Sequence, residues 1–200
     1  MTATETHVNV SCYGGGNGSI NLSVLGTGHP FAYLWSSGAT TEDVANLVPG
    51  VYSVTITDQS GCTLQQSVNI TQPTSPMNVQ AVITDVACYN VQTGAIDLTV
   101  SGGVAPYLYA WSNNSGNQDL TNVIGGNYQV TVVDAAGCQV LLTYPINQPS
   151  TPLTIQLNPV QVACIGALTG QVDLIVTGGT PTYTYAWNNS STAQDLLGVG

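Results

Sequence analysis

Residues 30–38 read PFAYLWSSG: three aromatics at alternate positions, then a polar turn. In an extended chain Phe31, Tyr33 and Trp35 share one face and Ala32 and Leu34 the other. Both faces are apolar, as expected of a central strand covered on both sides or joined to a neighbour. Trp35 and its counterparts Trp111 and Trp187 are expected in the core. Variants return as PYLYAWSNN from Pro106 and PTYTYAWNN from Pro181, so the strand belongs to something repeated.

The repeat has a constant step. Cys12, Cys88 and Cys164 stand 76 residues apart, as do Trp35, Trp111 and Trp187, and Tyr33, Tyr109 and Tyr185. Cys62 and Cys138, Asp58 and Asp134, and Pro73 and Pro149 keep the same interval. Three modules are expected, at residues 1–74, 75–150 and 151–200. The third stops before a counterpart of Cys138, so the chain is expected to be a segment of a longer array.

Within each copy apolar residues alternate with polar ones. Ile20, Leu22 and Val24 are matched by Ile96, Leu98 and Val100, and then by Val172, Leu174 and Val176; Tyr52, Val54 and Ile56 mark a further strand. GGGNG, SGGVAP and IGGN interrupt these runs as turns do, and no helical period is present. The expected fold is all-β: tandem Ig-like antiparallel β-sandwich modules with a 76-residue repeat, each of six or seven short strands. The connections TQPTSPM and NQPSTPL carry paired prolines, which favour a stiff, extended joint.

Counting strand crossings in the second copy puts Cys88 and Cys138 at one pole. Disulfides within each copy, Cys12 to Cys62 and Cys88 to Cys138, are therefore expected, with an oxidising, extracellular setting. Metal binding is the rival for these cysteines. No CxxC spacing supports it, and His7 and His29 occur only in the first copy. Crossing parity leaves a difficulty, since six crossings return the chain to its starting pole while end-to-end stacking needs an odd number. Either residues 77–88 form two short strands, or the proline linker runs along the module.

Composition removes whole classes of function. The chain has no Lys or Arg and a formal net charge of −10, which leaves no phosphate clamp, no Schiff-base amine and no basic groove for nucleic acid. No apolar run reaches the roughly 18 to 20 residues of a membrane-spanning helix, and no direct membrane insertion is expected. Asp58 and Asp134, in TDQSGC and VDAAGC, read as tight-turn acceptors more readily than as calcium ligands, which would need a denser oxygen set. Asp43, Asp119 and Asp195 recur at the same step, but singly. No paired carboxylates or Ser, His and Asp set repeats with the copies, so no enzyme, no catalytic residues, no cofactor and no metal are expected.

The order VSCYGGGNGSINLSV, then PFAYLWSSGATTEDVANLVPGVYSVTITDQSGC, with its second copy VACYNVQTGAIDLTVSGGVAPYLYAWSNN and GGNYQVTVVDAAGC, resembles the SprB-type repeat of cell-surface adhesins in gliding Bacteroidetes. The resemblance covers nearly the whole chain. It implies export by type IX secretion and display as long surface filaments involved in gliding motility or attachment to a substratum. The favoured reading is a structural segment of an extracellular filament or stalk at the cell surface. Its partners would be other copies of the repeat in the same chain or fibre, and surface polysaccharide or substratum. The alternative is a secreted set of carbohydrate-binding β-sandwich modules. Stalks need buried aromatics and sugar platforms need exposed ones, so the burial of Trp35 and Trp111 separates the two readings.

Overall fold

The computed structural model describes every residue except Ile165 and Gly200. The described residues form strands, turns and bends and contain no helix. In the first copy β1 (Thr2–Val8), β2 (Gly18–Leu25) and β4 (Val44–Leu47) make one three-stranded antiparallel sheet in the order β1-β2-β4. A second sheet, ordered β3-β5-β6, combines β3 (Ala32–Trp35), β5 (Gly50–Thr57) and β6 (Thr63–Ile70).

The period-two pattern becomes a two-sheet core. Ile20 and Leu22 of β2, Val44 and Leu47 of β4, Val54 and Ile56 of β5 and Val68 and Ile70 of β6 are buried together around Trp35, while Asn21 and Ser23 face outward. Fully burying an aliphatic side chain of this size contributes about 1.5–3 kcal/mol. The first module is thus held by its two inner faces.

The aromatic strand differs from its sequence reading. β3 is an edge strand beside β5, and Leu34 on its outer face is 60% exposed. Its second apolar face is uncovered. The inward face behaves as expected, with Trp35 buried and Phe31 and Tyr33 packed partly against the core.

Strand sense resolves the parity difficulty. β2 runs toward Gly28 and β5 toward Asp58, and a Cβ on Gly28 would lie 2.8 Å from the Asp58 Cβ, so both strands finish at one pole. Because β4 is antiparallel to β2, and β3 to β5, β3 and β4 run in the same sense. They are two halves of a single crossing that changes sheet between Trp35 and Val44. Five crossings result, and the chain leaves the first copy at the pole opposite its entry. Residues 78–84 form one strand, not two.

The same elements return as β7 (Asn78–Thr84), β8 (Gly94–Ser101), β9 (Leu108–Trp111), β10 (Leu120–Val123), β11 (Gly126–Val133) and β12 (Gln139–Ile146), in sheets ordered β10-β8-β7 and β12-β11-β9. Ile96, Leu98, Trp111, Leu120, Val130, Val132 and Ile146 repeat the buried positions of the first copy. In the third copy β13 (Thr154–Val160), β14 (Gly170–Thr177) and β15 (Leu196–Val199) form a sheet of that order.

By contact the chain divides into two compact units. One comprises Met1–Gln80, Thr99–Ala110 and Val130–Leu141; the other comprises Ala81–Leu98, Trp111–Gln129 and Leu142–Gly200. The first unit therefore holds the whole first copy, the linker after it and part of the second copy; the other holds the rest of the second copy, the linker after it and the third copy.

Candidate functional site

The linker in the first unit is anchored at both ends. At its start Val10 N–H donates to the Thr71 carbonyl (2.9 Å), Thr71 N–H to Asn9 Oδ1 (2.8 Å) and Gly14 N–H to Gln72 Oε1 (2.7 Å). At its end Gly103 N–H donates to the Ser75 carbonyl (3.1 Å); within the receiving loop itself Tyr107 donates its hydroxyl to the Gly102 carbonyl (2.6 Å). Gly102 has φ +73°, and a Cβ there would stand 2.0 Å from the Pro76 carbonyl oxygen. Only glycine permits that approach.

The second unit builds its linker the same way. Val86 N–H donates to the Asn147 carbonyl (2.9 Å), Asn147 N–H to Asp85 Oδ1 (2.8 Å), Asn90 N–H to Gln148 Oε1 (3.1 Å) and Gly179 N–H to the Thr151 carbonyl (3.0 Å). A Cβ on Gly178, at φ +75°, would stand 1.9 Å from the Pro152 carbonyl oxygen. Asp85 is the charged member of this set. The Asn147 backbone N–H and then its side-chain amide hold the Asp85 carboxyl below its ordinary value.

The hairpin that carries Cys138 is held by one carboxylate. Asp134, only 4% exposed, accepts from Ala136 N–H (2.9 Å) and Cys138 N–H (2.8 Å) at Oδ1, and from Val104 N–H (2.9 Å) at Oδ2. Asp58 repeats the first two bonds with Ser60 and Cys62. Both aspartates are turn acceptors, as their spacing indicates. Among the described residues no group of three or more His, Cys, Asp or Glu could hold a metal ion.

The disulfide pairing departs from expectation. Cys12 is bonded to Cys138, with their Cα atoms 5.7 Å apart across 126 residues of sequence, while Cys62, Cys88 and Cys164 are exposed free thiols. Neither Cys12–Cys62 nor Cys88–Cys138 forms. The cause is the shared sense of β3 and β4, which sends the Asp58 turn and Cys62 to the pole opposite Cys12. Cys12 instead meets the hairpin of the following copy, so the crosslink joins copies and does not close one.

The tryptophans divide. Trp35 and Trp111 are 2% and 4% exposed, and each donates its indole N–H to a backbone carbonyl, Thr41 (2.8 Å) and Asn117 (2.9 Å). Trp187 keeps the bond, to Ala193 (2.8 Å), but is half-buried and lies outside any strand. It lines an open cavity of about 270 Å³ with Ile155, Leu157, Leu174 and Tyr185. The core position expected for it is not reached, because the 200 residues contain no third-copy counterpart of β5 and β6, the strands that hold β3. Tyr33 is half-buried; burial first, and then a hydrogen bond to the Glu42 carboxylate, raises its pKa.

One recurrent role was missed in the sequence. Asp43, Asp119 and Asp195 each direct Oδ1 at a backbone N–H of the β2-type strand, Leu22 (2.9 Å), Leu98 (2.9 Å) and Leu174 (3.0 Å). The carboxylate stands one residue before the four-residue strand and supplies the acceptor which that strand does not reach. Recurrence of a single Asp at the repeat step, just before an apolar strand, was the available signal.

The SprB repeat family model matches residues 4–40, 80–116 and 157–192, more than half of the chain and once in each copy. The chain belongs to the SprB repeat family. Each SprB match runs from the first strand of a copy through its tryptophan and the following turn. No curated protein matches the chain in sequence. Among solved structures, this chain is similar to the N-terminal eight Ig domains of Down Syndrome Cell Adhesion Molecule isoform 1.30.30, at 14% identity and TM-score 0.47, over 87% of this chain and 26% of that one. It is also similar to domains 4–9 of surface layer protein SbsC, at 14% identity and TM-score 0.32, over 98% and 38%. A third similarity is to extracellular domains 3–5 of Drosophila OTK, at 11% identity and TM-score 0.28, over 99% and 83%. This chain therefore spans well under two thirds of the length of the first two.

Proposed function

We propose that this chain is a segment of an extracellular stalk or filament, in which tandem SprB repeats space an adhesive element from the cell surface during attachment or gliding. The observation that carries the reading is the joint. Linker anchoring, the glycine seat and a crosslink between copies all connect successive repeats through groups beyond the main chain, as a fibre under tension requires and a set of independent binding modules does not. Its role is structural and non-enzymatic. Its partners are other copies of the repeat in the same chain or fibre, with surface polysaccharide or substratum met by the adhesive element. Membership of the SprB repeat family, and not the joint, supports export by type IX secretion.

The carbohydrate-binding alternative needs exposed rings, and burial of Trp35 and Trp111 counts against it. Electron microscopy of the native assembly tests the proposal. Long thin surface fibres labelled by an antibody to this segment are expected; labelling confined to compact particles released from the cell would overturn it.

A further inference from the structure

We propose that the Cys12–Cys138 crosslink is one rung of a disulfide ladder, in which the first cysteine of each copy bonds the hairpin cysteine of the next copy. Cys88 and Cys164 are then half-rungs facing forward, and Cys62 is one facing back. The inference goes beyond the filament reading and does not depend on it.

Three observations converge. Cys88 and Cys164 occupy the position of Cys12 at the 76-residue step, and Cys62 that of Cys138; Cys12 and Cys138 are bonded in this structure. The linker bonds that bring the copies together at Cys12 recur at Cys88, through Gln72 and Gln148 and through Ser75 and Thr151. Finally, the space beside Cys88 is bordered by the residues that would seat a hairpin. A cavity of about 220 Å³ is lined by Cys88 together with Gly179 and Thr180.

Gly179 and Thr180 are the counterparts of Gly103 and Val104, and those two residues hold the Asp134 hairpin. Val104 N–H donates to Asp134 Oδ2 (2.9 Å), its carbonyl accepts from Ala135 N–H (2.8 Å), and a Cβ on Gly103 would lie 2.7 Å from Asp134 Oδ2. The cavity at Cys88 is thus where an Asp-x-x-Gly-Cys hairpin of the third copy would sit. Closing the rung removes two protons and two electrons from two thiols and forms one S–S bond. The acceptor is a disulfide oxidant, such as oxidised glutathione or an oxidised dithiol carrier, which leaves as two thiols.

The test supplies the missing hairpin. A segment copying Pro49–Thr74 is appended after Gly200, where it continues the register of the third copy, and Cys62→Ser marks the original hairpin by mass. Both this chain and the unaltered 200-residue chain are oxidised with glutathione disulfide, alkylated, cut with chymotrypsin and mapped without reduction. The unaltered chain is expected to show Cys12–Cys138 and three alkylated cysteines. The extended chain is expected to show Cys12–Cys138, a second link from Cys88 to the appended hairpin, and Cys164 alone alkylated. Cys88 alkylated in an extended chain that has formed Cys12–Cys138 would overturn the ladder. So would Cys12–Cys62 or Cys88–Cys138 peptides from the unaltered chain. Adding Cys138→Ser to the extended chain separates the schemes again: the ladder keeps the Cys88 link, whereas pairing within copies frees Cys88.

Discussion

Gly102→Ala probes the seat on which the linker rests. Gly102 has φ +73°, and the new methyl would lie 2.0 Å from the Pro76 carbonyl oxygen and 2.9 Å from Ser75 Oγ. Two costs add. A left-handed backbone costs an L-residue about 1–2 kcal/mol. Moving the linker away to relieve the overlap breaks the Gly103 N–H bond to Ser75, worth about 1 kcal/mol, and strains the backbone around it. The expected loss is about 2–4 kcal/mol.

Gly38→Ala is the internal control. Gly38 has φ +87°, and a methyl added there would meet nothing within 4 Å, so it carries the conformational cost alone. The excess of Gly102→Ala over Gly38→Ala, about 1–2 kcal/mol or roughly 4–16 °C in melting temperature for a module of this size, measures the contact itself. Calorimetry gives the difference, and hydrogen exchange should locate it at residues 71–80 and 103. Equal destabilisation by the two variants, with unchanged linker exchange, would refute the seat.

Reducing Cys12–Cys138 opens a loop of 126 residues and should lower stability by up to about 5 kcal/mol in the chain-entropy model, read from urea midpoints with and without dithiothreitol. Asp43→Ala leaves Leu22 N–H without its acceptor, and a loss of about 1.5–3 kcal/mol is expected in denaturant titrations. In single-tryptophan variants, acrylamide should quench Trp187 readily while Trp35 and Trp111 stay shielded; equal quenching of all three would contradict their burial. The Asp85 carboxyl is lowered from its ordinary 3.8, so its contribution is complete above that value and is lost as pH falls through the lower native value. An NMR titration midpoint for Asp85 at or above 3.8 would contradict its bonding to Asn147.

Periodicity made the modules legible because each buried position is a local choice repeated along a strand. Ile20, Leu22, Val54 and Ile56 could be assigned inward by alternation alone, and Asp58 and Asp134 as turn acceptors by their distance from glycine. The joint was less legible. Gly102 and Gly178 stand in ordinary turn sequences, and nothing nearby announces that a proline carbonyl oxygen will come within 2.0 Å and 1.9 Å of where a Cβ would stand.

By itself, then, the sequence determined an all-β array of 76-residue copies, the inward faces of their strands and the absence of Lys and Arg side chains. Tertiary structure alone decided which cysteines meet. Alternation records which face of a strand is buried, but it is unchanged when a strand reverses direction. The sense of the short β4 is set by its pairing with β2, a contact distant in sequence, and that one choice moves Cys62 to the far pole and gives Cys12 to the next copy.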